Sequence, residues 1–108
     1  MKWRVETLNA LVDEELESLE PTLKARFLHI CELLEMFGPS EVGAPHVRHL
    51  IEKLWEIRMK GKSGIARAIY LTVAERRIVV VHAFVKKTQK TPRSAIKVAL
   101  ARAKEISK

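Results

Sequence analysis

Leu54-Trp55-Glu56-Ile57-Arg58-Met59, then Gly61-Lys62-Ser63-Gly64, then Ile65 through Val73: these residues decide the fold. The first six alternate, placing Trp55, Ile57 and Met59 on one face of a strand and Glu56 and Arg58 on the other. Gly61 to Gly64 supplies a hairpin turn, and the return strand carries Arg67 and Tyr70. After a second turn at Glu75-Arg76, Ile78-Val79-Val80-Val81-His82-Ala83-Phe84-Val85 is almost continuously apolar, as a central strand covered on both faces requires. Three antiparallel strands in sequence order are therefore predicted.

Upstream of this meander, Trp3 to Leu8 reads as a short opening strand, at or next to a sheet edge. From about Asp13, Leu16, Leu19, Leu23, Phe27, Ile30, Leu34 and Phe37 recur every three or four residues, the stripe of an amphipathic helix. Pro21 lies inside the stripe, where it removes an amide donor and crowds the preceding turn. The stripe therefore splits into two helices, with Pro21 near the start of the second. Gly38-Pro39 ends that helix, and Pro39 to Pro45 is a loop. Downstream, Lys86-Lys87-Thr88-Gln89-Lys90 closes the last strand, and Thr91 is the expected N-cap of a helix with Pro92 in its first position. Ile96, Ala99, Leu100, Ala103 and Ile106 form the buried stripe of this helix, while Arg93, Lys97, Arg102 and Lys104 are expected to stay solvated. The predicted fold is α+β, a small antiparallel sheet with N-terminal helices and a C-terminal helix, in the order β-α-α-β-β-β-α. Residues 1–108 form a single domain in this reading, which suits their number.

The charge is unevenly placed. Residues 1–45 hold four Lys/Arg against nine Asp/Glu (4 − 9 = −5), and residues 46–108 hold 16 against 4 (+12), for the net +7. A basic half on a folded domain gathers polyanions, of which nucleic acid is the commonest. These cations interrupt strands and do not line one amphipathic helix, which disfavours a membrane surface. No apolar run is long enough to span a bilayer and the N-terminus lacks a signal-peptide core, so a cytoplasmic protein is expected. Cys31, the one cysteine, falls among apolar residues and reads as buried filler.

Three groups of residues invite a chemical reading. Gly61-Lys62-Ser63 has the ending of a phosphate-binding loop, but Glu56 stands where the motif needs its first glycine, and a hairpin replaces the strand-to-helix context. His46 and His49 have a spacing seen among metal ligands, yet no third ligand accompanies them, so neither a metal nor another cofactor is expected. Solvated histidines, phosphate contact and proton transfer all remain open for this pair. His82, inside an apolar strand, reads as a satisfied core histidine. The third group is Arg58, Arg67, Tyr70, Lys86, Lys87 and Lys90, spread over the three strands and the segment after them. Arginine forks grip phosphate oxygens, lysines add charge, and an aromatic ring offers a stacking surface. Arg67 and Tyr70 have opposite strand parity, so only twist or a bulge could bring both to one site.

The strings Val47-Arg48-His49-Leu50, Leu54-Trp55-Glu56-Ile57-Arg58, Gly64-Ile65-Ala66-Arg67-Ala68-Ile69-Tyr70 and His82-Ala83-Phe84-Val85-Lys86-Lys87-Thr88-Gln89-Lys90-Thr91-Pro92 resemble the phage-derived branch of the RelE/HigB toxin superfamily. The resemblance runs in order over nearly the whole chain and is weakest in the acidic half. It implies the toxin of a type II toxin–antitoxin pair, a metal-independent endoribonuclease that enters the ribosomal A site and cuts mRNA there. Its implied partner is an antitoxin with a helix-turn-helix. By the same resemblance, Arg58, Arg67, Tyr70 and Lys87 are candidate catalytic residues, and Lys86, Lys90, Lys62 and Arg48 are candidate substrate contacts. Some better-defined relatives carry a Glu/His pair or a His/Tyr tail, whereas this chain ends in a long helix. That leaves Glu56, His46, His49 and Tyr70 as candidate acids and bases, with a site relying mainly on lysine and arginine as another possibility. A non-catalytic module that only binds an antitoxin or nucleic acid is the alternative.

Overall fold

A computed structural model describes residues 2–62, 64–86 and 90–106. Its elements are β1 (Arg4–Thr7), α1 (Ala10–Glu17), α2 (Pro21–Phe37), β2 (Val47–Ile51), β3 (Leu54–Lys60), β4 (Ile65–Val73), β5 (Arg77–Lys86) and α3 (Arg93–Ala103). The sheet order is β1-β5-β4-β3-β2; β2 to β5 run antiparallel to their neighbours, and β1 lies parallel to β5. The α+β architecture agrees with the expected one, with one strand more than the predicted order. The extra strand, β2, is a five-residue edge strand that places Arg48 opposite Glu56 and His49 opposite Trp55. Its residues are mostly exposed, so no clean apolar alternation marks it. The turn into β3 uses Glu52 at a left-handed φ of 52°, not the glycine or asparagine that would have announced a hairpin.

The helix boundaries follow local chemistry. Asn9 caps α1, its side-chain oxygen accepting from the Val12 amide, so the helix begins earlier than the stripe from Asp13 suggested. Pro21 occupies the first turn of α2, where its missing amide costs nothing. Gly38 ends α2 at φ 85° with its Cα against Trp3; a Cβ there would lie 2.8 Å from the indole nitrogen. The start of α3 also differs from expectation. Pro92 is the N-cap of α3, and the Thr91 hydroxyl donates instead to Glu56.

Strand parity divides the core. Ile57, Met59, Ala66, Ala68, Tyr70, Ile78 and Val80 face α1 and α2, packing on Val12, Leu23, Phe27 and Leu34. On the opposite face Leu54, Ile69, Leu71 and Val79 meet Ala95 and Ala99, whose small side chains let α3 lie close to the sheet. Arg102, expected in solvent, instead clips α3 to α1 and β5. Its Nη1 donates to the Val81 carbonyl (2.8 Å) and to Glu15 Oε1 (3.0 Å), and its Nη2 lies 2.9 Å from Glu15 Oε2. Among the described residues no helix is long and apolar enough to cross a membrane.

Candidate functional site

Beyond α3, the second face of the sheet changes character within a single strand. Along β3 the residues of one parity run Leu54, Glu56, Arg58, Lys60, from the apolar contact with α3 to the hairpin. Arg67 of β4 pairs directly across from Arg58, Arg48 of β2 across from Glu56, and Lys86 of β5 across from Ile65. The sheet thus brings four predicted site cations, Arg48, Arg58, Arg67 and Lys86, to one face around the carboxylate of Glu56.

This cluster is unusually dry. Glu56, Arg67 and Lys86 are only 3%, 2% and 5% exposed, whereas Arg48 lies open to solvent. Glu56 Oε1 accepts a short 2.6 Å hydrogen bond from Thr91 Oγ1. Its other oxygen lies 3.4 Å from Arg67 Nε and 3.9 Å from Arg58 Nε, close enough for ionic attraction. Arg67 Nη1 donates to the Ala66 carbonyl, but its Nε is buried without a hydrogen-bond partner. An unsatisfied donor on a buried cation is costly, and a site that later receives an anion is a recurrent reason for one.

Burial depresses the Arg67 guanidinium below its ordinary pKa; the Glu56 carboxylate opposes the shift and Arg58 adds to it. The Lys86 ammonium is likewise depressed, first by burial and then by Arg67, with Glu56 opposing and Arg58 and Arg48 adding. A cleft of about 220 Å³, lined by Pro45, Arg58, Met59, Lys60, Ile65 and Arg67, opens beside the two paired arginines.

The other candidates lie elsewhere. Tyr70 faces α1 and α2, fully buried with an unpartnered hydroxyl, and burial pushes its phenol pKa upward. The bulge near Ile69/Tyr70 puts its extra residue in β5, opposite Tyr70, and leaves the parity of Tyr70 relative to Arg67 unchanged. His49 lies on the Trp55 side, its ring centroid 5.0 Å from the indole and its Nε2 2.8 Å from the Glu52 carbonyl. His46 precedes β2 with its ring edge-on to His29 of α2 at 6.5 Å, although its carbonyl accepts from the Arg58 amide. Lys62 is exposed in the β3–β4 hairpin, Lys90 is exposed just before Thr91, and Lys87 lies outside the described residues. Thr91, expected only as a helix cap, Pro45 and Lys60 were not singled out from sequence as site residues. The same-parity spacing Glu56-Arg58-Lys60 could have flagged Lys60, but the contact of Thr91 depends on tertiary docking. No group of three or more His, Cys, Asp or Glu side chains suited to a metal occurs among the described residues.

Residues 14–104 match the family described as phage-derived protein Gp49-like (DUF891). Among solved structures, a chain in the crystal structure of the archaeal RelE–RelB complex from Pyrococcus horikoshii OT3 is similar. It is 25% identical, with a TM-score of 0.57, over 79% of this chain and 96% of that one. No curated protein matches. With a family match reaching from α1 to the end of α3 and this structural likeness, the chain belongs to the phage-derived Gp49-like family and has a RelE-like toxin fold.

Proposed function

We propose that the protein is the toxin of a type II toxin–antitoxin pair and cleaves mRNA on the ribosome as a metal-independent endoribonuclease. A fold alone does not fix an activity. The observation that carries the reading is the pair Arg58–Arg67, facing each other across two strands beside a cleft, with a buried Arg67 Nε that makes no hydrogen bond and has Glu56 in ionic contact at 3.4 Å. Four cations against one carboxylate leave the face positively charged, suited to the phosphates of an RNA strand.

In this reaction the 2′-oxygen of the ribose attacks the adjacent phosphorus to form a 2′,3′-cyclic phosphate, the bond from phosphorus to the 5′-oxygen of the next nucleotide breaks, and that oxygen takes a proton from water and leaves as a hydroxyl. Negative charge grows on the non-bridging oxygens, where the fixed guanidiniums of Arg58 and Arg67 stabilise it without reorganising. Lys86 takes the proton of the attacking hydroxyl, a role favoured by the loosening of its own proton through burial and neighbouring arginines. Glu56 does not transfer protons in this scheme. It is covered, it accepts from Thr91, and it keeps the arginines from repelling one another. Arg48, Lys60, Lys62 and Lys90 hold flanking phosphates, and Lys87 belongs with them by its place in the sequence. An antitoxin, in the role RelB has beside archaeal RelE, completes the system and by the sequence resemblance carries a helix-turn-helix; the cytoplasm is where both would act.

Primer extension on a reporter mRNA translated in the presence of the purified protein tests this reading. Cuts within translated codons, insensitive to EDTA once ribosome integrity is controlled, are expected. Lys86→Arg should bind ribosomes yet cleave at least about a hundred-fold more slowly, as loss of a general base does. A second reading, a non-catalytic module that binds an antitoxin or nucleic acid, draws on the scattering of Tyr70, His46 and His49 away from the arginines. Ribosome binding with no cuts at any pH would select it.

A further inference from the structure

The acidic half of the chain takes no part in the chemistry proposed above, yet it builds a concave surface of its own. Two grooves of about 270 and 340 Å³ meet at Phe27 and Leu28, forming one trough among α1, α2 and β1. Its floor is apolar, built by Leu16, Phe27 and Val5, and Leu28 at the junction is 62% exposed. That is a large aliphatic surface to leave in water on a helix whose opposite side is fully packed.

The rim is acidic. Glu17 and Glu6 carry their own cations, Lys24 at 3.3 Å and Arg77 at 2.8 Å. Asp13, Glu32 and Glu35 have none within ion-pair distance among the described residues. Asp13 accepts from the Thr7 hydroxyl and Glu35 from the Val5 amide, so both are held in place with their charge uncompensated. Among the described residues Lys24 is the one cation lining the trough.

We propose that this trough docks a lysine- or arginine-rich amphipathic segment of a protein partner. Aliphatic side chains of the segment meet Phe27 and Leu28, and its cations lie over Asp13, Glu32 and Glu35. Charge complementarity selects the occupant. A protein of net +7 repels a basic peptide over most of its surface and attracts it here, while an acidic segment or RNA is drawn to the arginine face instead. Arg58 and Arg67 point away from α2, and β1 lies at the opposite edge of the sheet from β2. The trough and the cleft can therefore be filled together, so the inference does not depend on the proposed nuclease activity.

The probe is a dye-labelled helical peptide with leucines at helical spacing and lysines elsewhere, followed by fluorescence anisotropy. A matched peptide with glutamate in place of lysine is the control. The lysine peptide should bind one-to-one and weaken at least about ten-fold in Leu28→Ser, and again in Asp13→Lys/Glu32→Lys. All three positions are exposed, so the variants should keep the wild-type circular dichroism, with a fall in Tm of at most about 10 °C where Asp13→Lys removes the Thr7 bond and the first-turn charge of α1. Unchanged affinity in both variants, or equal binding of the glutamate peptide at the same site, overturns the proposal. So does a dimer of the protein alone that Leu28→Ser dissolves, since it would assign the trough to a second copy.

Discussion

Glu15 and Glu56 are both carboxylates drawn into the protein among cations, with side chains 20% and 4% exposed. Around Glu15 every partner is at hydrogen-bonding distance: the Ala83 amide at 3.0 Å, His82 Nδ1 at 3.0 Å, and both terminal nitrogens of Arg102. Around Glu56, Thr91 makes such a bond at 2.6 Å, while the two arginines stand off at 3.4 and 3.9 Å. The first cluster uses up its charge in tying three elements together. The second leaves cation in excess beside an open cleft, which is the arrangement expected of a place that receives an anion.

If this contrast is right, variants of the two clusters should fail in different ways. Arg67→Ala should lower mRNA cleavage by roughly 100- to 1000-fold, the loss typical of removing one preorganised charge-stabilising donor, while the protein stays folded. Growth arrest on expression is the convenient readout, with circular dichroism as the folding control. Continued arrest by a folded Arg67→Ala protein would make the second cluster as structural as the first.

Glu15→Gln should do the reverse. Loss of the charged hydrogen bonds costs about 2 kcal/mol, a fall in Tm of roughly 10 °C for a chain of this size, with cleavage per folded molecule unchanged. The same group predicts a pH effect. Burial pushes the Glu15 carboxyl upward, but the bonds from Arg102, Ala83 and His82 outweigh it and hold the group below its ordinary value. Its contribution is therefore complete above the unfolded carboxylate pKa of about 4 and is lost as pH falls through the lower folded value. Denaturant melts from pH 7 down to about pH 3 should show wild type losing stability over this range more steeply than Glu15→Gln.

Smaller effects sharpen the comparison. Thr91→Val removes the 2.6 Å bond to Glu56 and should cost about 1 to 2 kcal/mol in urea titrations. Tyr70→Phe deletes a buried hydroxyl that has no partner, so stability should change by less than about 1 kcal/mol and cleavage not at all. A large loss of cleavage in a stable Tyr70→Phe protein would return Tyr70 to the mechanism.

The meander was legible because each of its strands repeats a strong alternation or an unbroken apolar run, and because Gly61 and Gly64 flank the first turn. Pro21 and Gly38 marked helix ends for reasons that act on the backbone alone. Parity also gave early notice that Tyr70 and Arg67 lie on opposite faces, since no change of register within β4 separates them. The residues misread have in common that a distant partner determines their environment. Glu56 looks solvent-facing until Thr91 and the arginines cover it, Arg102 looks solvated until Glu15 reaches it, and β2 depends on its pairing with β3. Local pattern carries backbone geometry and facing, but not which polar groups will meet across the sheet.

The parallel pairing of β1 with β5 also sets a schedule. Glu6 and Arg77, which join these strands, are 71 positions apart in sequence, and Glu15 and Arg102 are 87 apart. During synthesis the opening strand and first helix must wait unpaired until β5 and α3 have left the exit tunnel, and contacts of such separation are slow to form. The β3–β4–β5 meander, built from neighbours in sequence, can assemble earlier. A nascent chain can thus form its arginine face before the opening strand and first helix have docked on the sheet. Its stability, and its resistance to proteases, arrive once β5 and α3 are in place.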